Sequence, residues 1–127
     1  MIIGIGTDLL DCRRLEKSIS AFGQRFLDRL FTNAEQKKCQ GRKEVFQSYG
    51  KIFAAKESVL KAIGDTEGVR WQDIELNHLP NGKPTVTLSG RALENLKKQI
   101  QSDRPFKFDV SISDDPPYAI AFVVISC

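Results

Sequence analysis

Phe53-Ala54-Ala55-Lys56-Glu57-Ser58-Val59-Leu60-Lys61-Ala62 is the stretch around which the rest of this 127-residue chain is organised. It sits inside the longest helical pattern in the sequence, residues 44–63, which stops at Gly64, a natural helix C-cap. At 100° per residue, Phe46, Tyr49, Ile52, Phe53, Val59, Leu60 and Ile63 fall in one wide arc, so this helix is predicted to be central and to face the core. Glu57 falls beside that arc rather than opposite it. Its helical neighbours on that side, Gly50 and Ala54, are small, and a cavity next to the carboxylate is expected. Lys61 follows one turn later on the same side.

On the N-terminal side, residues 2–6 form a short β-branched and glycine-rich run that breaks at Thr7-Asp8, which predicts a buried strand with Asp8 at its end. Leu15, Ile19, Phe22, Phe26 and Leu30 then recur at helical spacing among Arg13, Arg14, Lys17, Arg25 and Arg29, giving amphipathic helix broken at Gly23. Thr32-Asn33-Ala34-Glu35 has the form of a capping box that starts a short helix. Beyond Gly64, a strand is expected near 71–78, a tight turn at Asn81-Gly82, and a second strand over 85–88. Ser89 can cap a helix running to about 101, with Leu93, Leu96 and Ile100 on its buried side. Residues 106–113 alternate with period two, Asp114-Asp115-Pro116-Pro117 turns, and 118–125 returns as the other half of a hairpin. The sum is an α+β fold: a single compact domain over residues 1–127, with a largely antiparallel sheet packed against one long central helix and shorter helices.

Composition is that of an ordinary globular protein, 41% hydrophobic and 28% charged. A net charge of +3 and a pI near 8.8 favour an anionic partner, leaving nucleic acid, acidic protein and phosphorylated metabolite open. Cys12, Cys39 and Cys127 are odd in number and contain no C-x-x-C pair, which reads as reduced thiols. The N-terminus shows no basic leader, and the longest uncharged run, 116–127, falls short of the ~20 residues a membrane helix needs. A cytoplasmic protein without a membrane segment is expected. A chain of this size hides roughly two thirds of its unfolded surface on folding, too little to enclose a deep cleft, so a second subunit could wall a site for a large ligand.

Asp8 and Glu57 are the acids for which structure alone gives the least reason, since part-buried carboxylates are unfavourable without a cation or metal. One or two carboxylates completed by waters and substrate phosphate is the usual way magnesium is held, and Lys61 could pair with Glu57 or reach a phosphate. The structural alternative is that Asp8 caps the following helix and that Glu57 and Lys61 form an ordinary i,i+4 pair. His78, the sole histidine, is placed at the surface beside a turn, while Ser111, Ser113 and Cys12 read as packing or hydrogen-bonding residues.

Ile3-Gly4-Ile5-Gly6-Thr7-Asp8 and the Phe53–Ala62 segment, in this order and about fifty residues apart, resemble the small bacterial 4′-phosphopantetheinyl transferases of the holo-acyl-carrier-protein synthase type. Asn81-Gly82-Lys83-Pro84, Leu88-Ser89-Gly90, Val110-Ser111-Ile112-Ser113 and Tyr118-Ala119-Ile120-Ala121-Phe122 extend the resemblance along the whole chain. It implies that Asp8 and Glu57 ligate Mg2+, that the metal grips the diphosphate of coenzyme A, and that the phosphopantetheine arm passes to a serine of acyl carrier protein for fatty acid biosynthesis. Lys61 and Glu57 are then catalytic, Glu57 being the preferred proton acceptor. Lys61, Asn81, Gly82, Lys83 and Pro84 contact coenzyme A, and Arg14, Arg25, Phe26 and Arg29 dock the acidic carrier. A homotrimer with active sites between subunits is also implied. The chain departs from many relatives in having Ile52, preceded by Lys51, where they have arginine, and Asp114 where they have histidine; both positions in relatives lie near the nucleotide end of coenzyme A.

Two non-catalytic readings compete with this one. A small nucleic-acid-binding domain would use the basic pI, but the sheet strands lack interleaved aromatic and basic residues and the charges form no single stripe. In a protein-interaction domain Asp8 and Glu57 would be merely structural.

Overall fold

Strand β1, Ile2–Asp11, can lie directly on the central helix because two of its residues have no side chain. A Cβ at Gly4 would stand 2.0 Å from the carbonyl oxygen of Ala62, and one at Gly6 would stand 1.8 Å from that of Ser58. Ala62 and Ser58 belong to helix α4, Val45–Ile63, which spans the protein as the sequence predicts and ends at Gly64 with φ +80°. The computed structural model describes residues 1–101 and 103–127.

Around this contact the elements run β1, α1 (Cys12–Phe22), α2 (Gln24–Leu30), α3 (Asn33–Gln40), α4, a short 3-10 turn (Trp71–Asp73), β2 (Ile74–His78), β3 (Pro84–Leu88), α5 (Gly90–Ile100), β4 (Lys107–Asp115) and β5 (Tyr118–Ser126). The antiparallel order β1-β5-β4 forms one sheet, and the β2–β3 hairpin forms a second. The α+β architecture is as expected, with the strands divided between two sheets. Gly23, at φ +63°, breaks the α1–α2 pair at the predicted place. Ser89 occupies the N-cap of α5 but its side chain makes no capping bond.

Asp8 does not end its strand. β1 continues because Leu9, Leu10 and Asp11 go on pairing with Ile120, Ala119 and Tyr118 of β5, a long-range support that local sequence does not display. The residue that caps α1 is Asp11, whose carboxylate accepts from the Arg13 amide at 3.0 Å. With a side-chain period of two, Gly4, Gly6, Asp8 and Leu10 face α4, while Ile5, Thr7 and Leu9 face away.

The expected capping box at Thr32 and Glu35 forms, and Glu35 does more than cap. Its fully buried carboxylate accepts from the Lys56 ammonium of α4 at 2.6 Å and from the Leu76 amide of β2 at 2.9 Å. One side chain therefore ties α3, α4 and the β2–β3 hairpin together. Burial pulls the Lys56 ammonium below its ordinary pKa, and Glu35 opposes that pull. Deleting one member leaves the other charged and buried, so Glu35→Ala should cost about 3–5 kcal/mol in urea unfolding. Replacing both, Glu35→Leu with Lys56→Met, should recover most of that loss. Equal losses for the single and double variants would show that the charge pairing is not the term at stake.

Candidate active site

Asp8 and Glu57 line one open groove of about 540 Å3 between β1, α4 and the α1–α2 pair. Arg14, Lys17, Phe26 and Phe53 line it with them. Asp8 reaches it because it projects from the α4-facing side of β1, and Glu57 because it stands at the edge of the buried arc of α4.

The cation next to this pair is Lys61, and it pairs with Asp8. Its ammonium donates to the Thr7 carbonyl at 2.9 Å and to an Asp8 carboxylate oxygen at 3.3 Å. The alternative of a Glu57–Lys61 i,i+4 bridge is not formed; Glu57 has no hydrogen bond or ion pair among the described residues. Burial first and the neighbouring Asp8 charge second push the Glu57 carboxyl above its ordinary pKa, with Lys61 only partly offsetting them.

Gly50 does not open the space beside Glu57, as its helical position suggests. A Cβ there would meet the Cys12 sulfur of α1 at 2.2 Å, so Gly50 serves the α1–α4 crossing, and Ala54 is wholly buried. The space comes from the groove between α4 and the first two helices.

Two hard carboxylate ligands with no third acid, histidine or cysteine nearby among the described residues suit a divalent ion that keeps waters and takes substrate phosphate, as magnesium does. They suit poorly a zinc site, which takes three or four protein ligands. The unpartnered Glu57 carboxylate beside Asp8 is the observation that fits such an ion.

Arg14 and Phe26 stand at the same groove. Arg25 and Arg29 lie exposed on α2, and neither forms an ion pair among the described residues. The Asn81–Pro84 turn forms as predicted, with Gly82 at φ +87° and the Asn81 side chain accepting from the Lys83 amide at 3.0 Å. None of its residues lines the Asp8–Glu57 groove within one copy of the chain. Lys83 instead lies 3.7 Å from Asp109 of β4. Ser111 and Ser113 are solvent-exposed on the outer side of β4 rather than packed.

A second, smaller cavity of about 80 Å3 was not anticipated as a site. Lys38, Arg42, Lys51 and His78 converge on it from α3, the segment after it, α4 and β2, over an apolar wall that includes Ile52 and Ile112. Lys51 lies 3.8 Å from Asp114, which also accepts from Gln47 at 3.2 Å. Lys38 and Arg42 have no carboxylate partner among the described residues. The available signal in the sequence is their spacing: like charges four apart repel along a helical path, which makes an unrelieved pair informative.

Known proteins share this fold along its length. A family model described as the 4′-phosphopantetheinyl transferase superfamily matches residues 4–123. The holo-[acyl-carrier-protein] synthase of Methylorubrum extorquens is 45% identical over 127 residues, spanning 98% of this chain and 93% of the relative. The crystal structure of the synthase from Neisseria meningitidis superposes with a TM-score of 0.82 at 31% identity, covering 100% of both chains. That of the Helicobacter pylori synthase in complex with coenzyme A gives a TM-score of 0.79 at 30% identity, covering 96% of this chain and 99% of that one. The chain belongs to the 4′-phosphopantetheinyl transferase superfamily.

The raised Glu57 pKa has a direct consequence for stability. A carboxyl whose folded pKa lies above its unfolded value penalises the folded state once pH exceeds that unfolded value, and the penalty fades as pH falls below it. Glu57→Gln should therefore raise the melting temperature at pH 7 in the presence of a chelator and leave it unchanged near pH 4. A variant less stable than the parent at pH 7 would show that Glu57 is already satisfied in the metal-free protein.

Proposed function

We propose that Asp8 and Glu57 hold magnesium against the diphosphate of coenzyme A, and that this groove carries out transfer of 4′-phosphopantetheine to a serine of apo acyl carrier protein. The observation that carries the reading is the half-buried Glu57 carboxylate, unpaired and destabilised beside Asp8 while the nearby ammonium is taken by Asp8. The ion, when bound, neutralises charge on the diphosphate oxygens.

The chain's own groups supply the rest. Lys61, exposed at the groove edge, faces the charge that grows on the leaving phosphate. The serine oxygen bonds to the β-phosphorus, the bond from that phosphorus to the bridging oxygen breaks, and adenosine 3′,5′-bisphosphate departs. Glu57 accepts the serine proton as the general base. Arg14, Arg25 and Arg29, with Phe26 as an apolar contact, dock the acidic carrier, and their free guanidinium groups speed its approach.

The nucleotide end of coenzyme A is assigned to the basic cavity at Lys38, Arg42, Lys51 and His78, together with the Asn81–Pro84 turn of the same hairpin. That cavity and the Asp8–Glu57 groove share no lining residue, which supports a homotrimer in which one subunit supplies the groove and its neighbour the cavity. The outer face of the three-stranded sheet supports it too: Ile5, Leu9, Ile120 and Phe122 lie together and exposed, Leu9 at 68% and Phe122 at 45%. Residues 1–127 act as one transferase domain, and three free cysteines suit a reducing cytoplasm.

Incubation with coenzyme A, magnesium and apo carrier should add one phosphopantetheine to the carrier by intact mass. Glu57→Gln should lower kcat/KM by at least about 10²-fold. Arg14→Glu should raise KM for the carrier far more than KM for coenzyme A; equal effects would remove Arg14 from the docking surface. In sedimentation equilibrium the protein should have three times the chain mass of 14.3 kDa, and Phe122→Asp should give an inactive monomer. A fully active monomer would overturn the shared-site arrangement.

A further inference from the structure

We infer that His78 is a proton-linked binding residue: it takes up a proton when a phosphate-bearing ligand enters the Lys38–Arg42–Lys51 cavity, so that affinity for that ligand rises as pH falls. This rests on the assignment of the cavity to the nucleotide end of the substrate, and it adds a protonation step at His78 and a pH dependence that the assignment alone does not contain.

In the free protein the Lys38 side-chain nitrogen lies against Nδ1 of His78, so that protonating the ring would set a second cation against the Lys38 ammonium. The cations facing the ring favour its neutral state. Lys38 and Arg42 approach from α3 and the segment after it, and Lys51 approaches from α4. The Cys39 thiol beneath them is pushed up to about 12 by burial and brings no negative charge. Glu35, the acid under α3, is engaged with Lys56 and the Leu76 amide. From β4 the charged group is Asp114, which sits against Lys51, and from β3 the register partner of His78 is Pro84, which is uncharged. Partial desolvation and these three cations hold the His78 pKa below the ordinary imidazole value.

A phosphate dianion counters the three cations. It draws the Lys38 ammonium to its own oxygens, which frees Nδ1 to take a proton, and it replaces repulsion with an adjacent negative charge. The ring then becomes a fourth cationic donor in the cavity. Because the pKa is lower free than bound, binding consumes a proton, and affinity increases as pH falls through the interval between the two values.

His78 is the sole histidine, so its ring resonance can be followed without assignment. The probe is adenosine 3′,5′-bisphosphate. Its own phosphates titrate with a pKa of about 6 and weaken binding at low pH equally for every variant, so proteins are compared with one another. The His78 pKa is expected to rise by one unit or more on saturation with the bisphosphate. The ratio of dissociation constants at pH 8 and pH 6 is expected to be several-fold larger for the parent than for His78→Gln, a substitution of an exposed side chain that leaves the core untouched. The double variant Lys38→Gln, Arg42→Gln should bind the bisphosphate at least tenfold more weakly at both pH values. If it binds as tightly as the parent, the cavity is not the nucleotide site and the underlying assignment fails. If it binds weakly while His78→Gln keeps the parent's pH ratio and the His78 pKa stays fixed, the assignment stands and the proton linkage is overturned.

Discussion

The contact of β1 with α4 is the constraint on which the site depends. Backbone meets backbone at Gly4 and Gly6, where any side chain would collide with the Ala62 and Ser58 carbonyl groups. A strand held this close places its next α4-facing residue, Asp8, within reach of the turn that carries Glu57 and Lys61. With alanine at either glycine the strand would have to move outward, and the carboxylate pair would separate. Close packing here is what fixes the Asp8–Glu57 geometry, while the buried pair of Glu35 and Lys56 holds the opposite side of the same helix.

The charges around the groove are arranged at some expense to the stability of the fold. Asp8, Glu57 and Lys61 meet there beside Arg14 and Lys17, and the Lys61 ammonium bridges a carboxylate and a carbonyl on β1, leaving Glu57 without a hydrogen-bonded partner among the described residues. A structure optimised for stability alone would have paired Glu57 with Lys61 one helical turn away. Preorganised, partly desolvated carboxylate charge attracts a cation more strongly than charge already paired, so the same feature that costs stability suits the proposed ion.

Local chemistry made much of this fold readable. The capping box at Thr32 and Glu35, the breaks at Gly23 and Gly64, and the turn at Asn81-Gly82 each rest on interactions a few residues apart, and each is found where expected. What could not be read depends on partners distant in sequence. β1 outruns its apolar start because β5 supports it, and Gly50 is required by Cys12 rather than by Glu57. Lys61 chooses Asp8 across fifty-three positions over Glu57 at four. Asp8 and Glu57 themselves were legible as a pair through the two segments that carry them, whereas the basic cavity, assembled by four separate elements, left only the spacing of Lys38 and Arg42 as a trace.

The departures at Ile52 and Asp114 belong together once the packing is known. Ile52 is buried and forms part of the apolar wall of the basic cavity, so it offers no charge there. Lys51, its neighbour in sequence, turns to the rim of the same cavity and lies near Asp114. Lys38 and Arg42 contribute the remaining cationic groups from outside α4, and His78 adds a titratable ring from β2. Positive charge at this end of the molecule is therefore spread over three elements instead of concentrated on the central helix. A rim assembled in this way depends on the relative placement of α3, α4 and the β2–β3 hairpin, and that placement is what Glu35 secures by bonding all three at once.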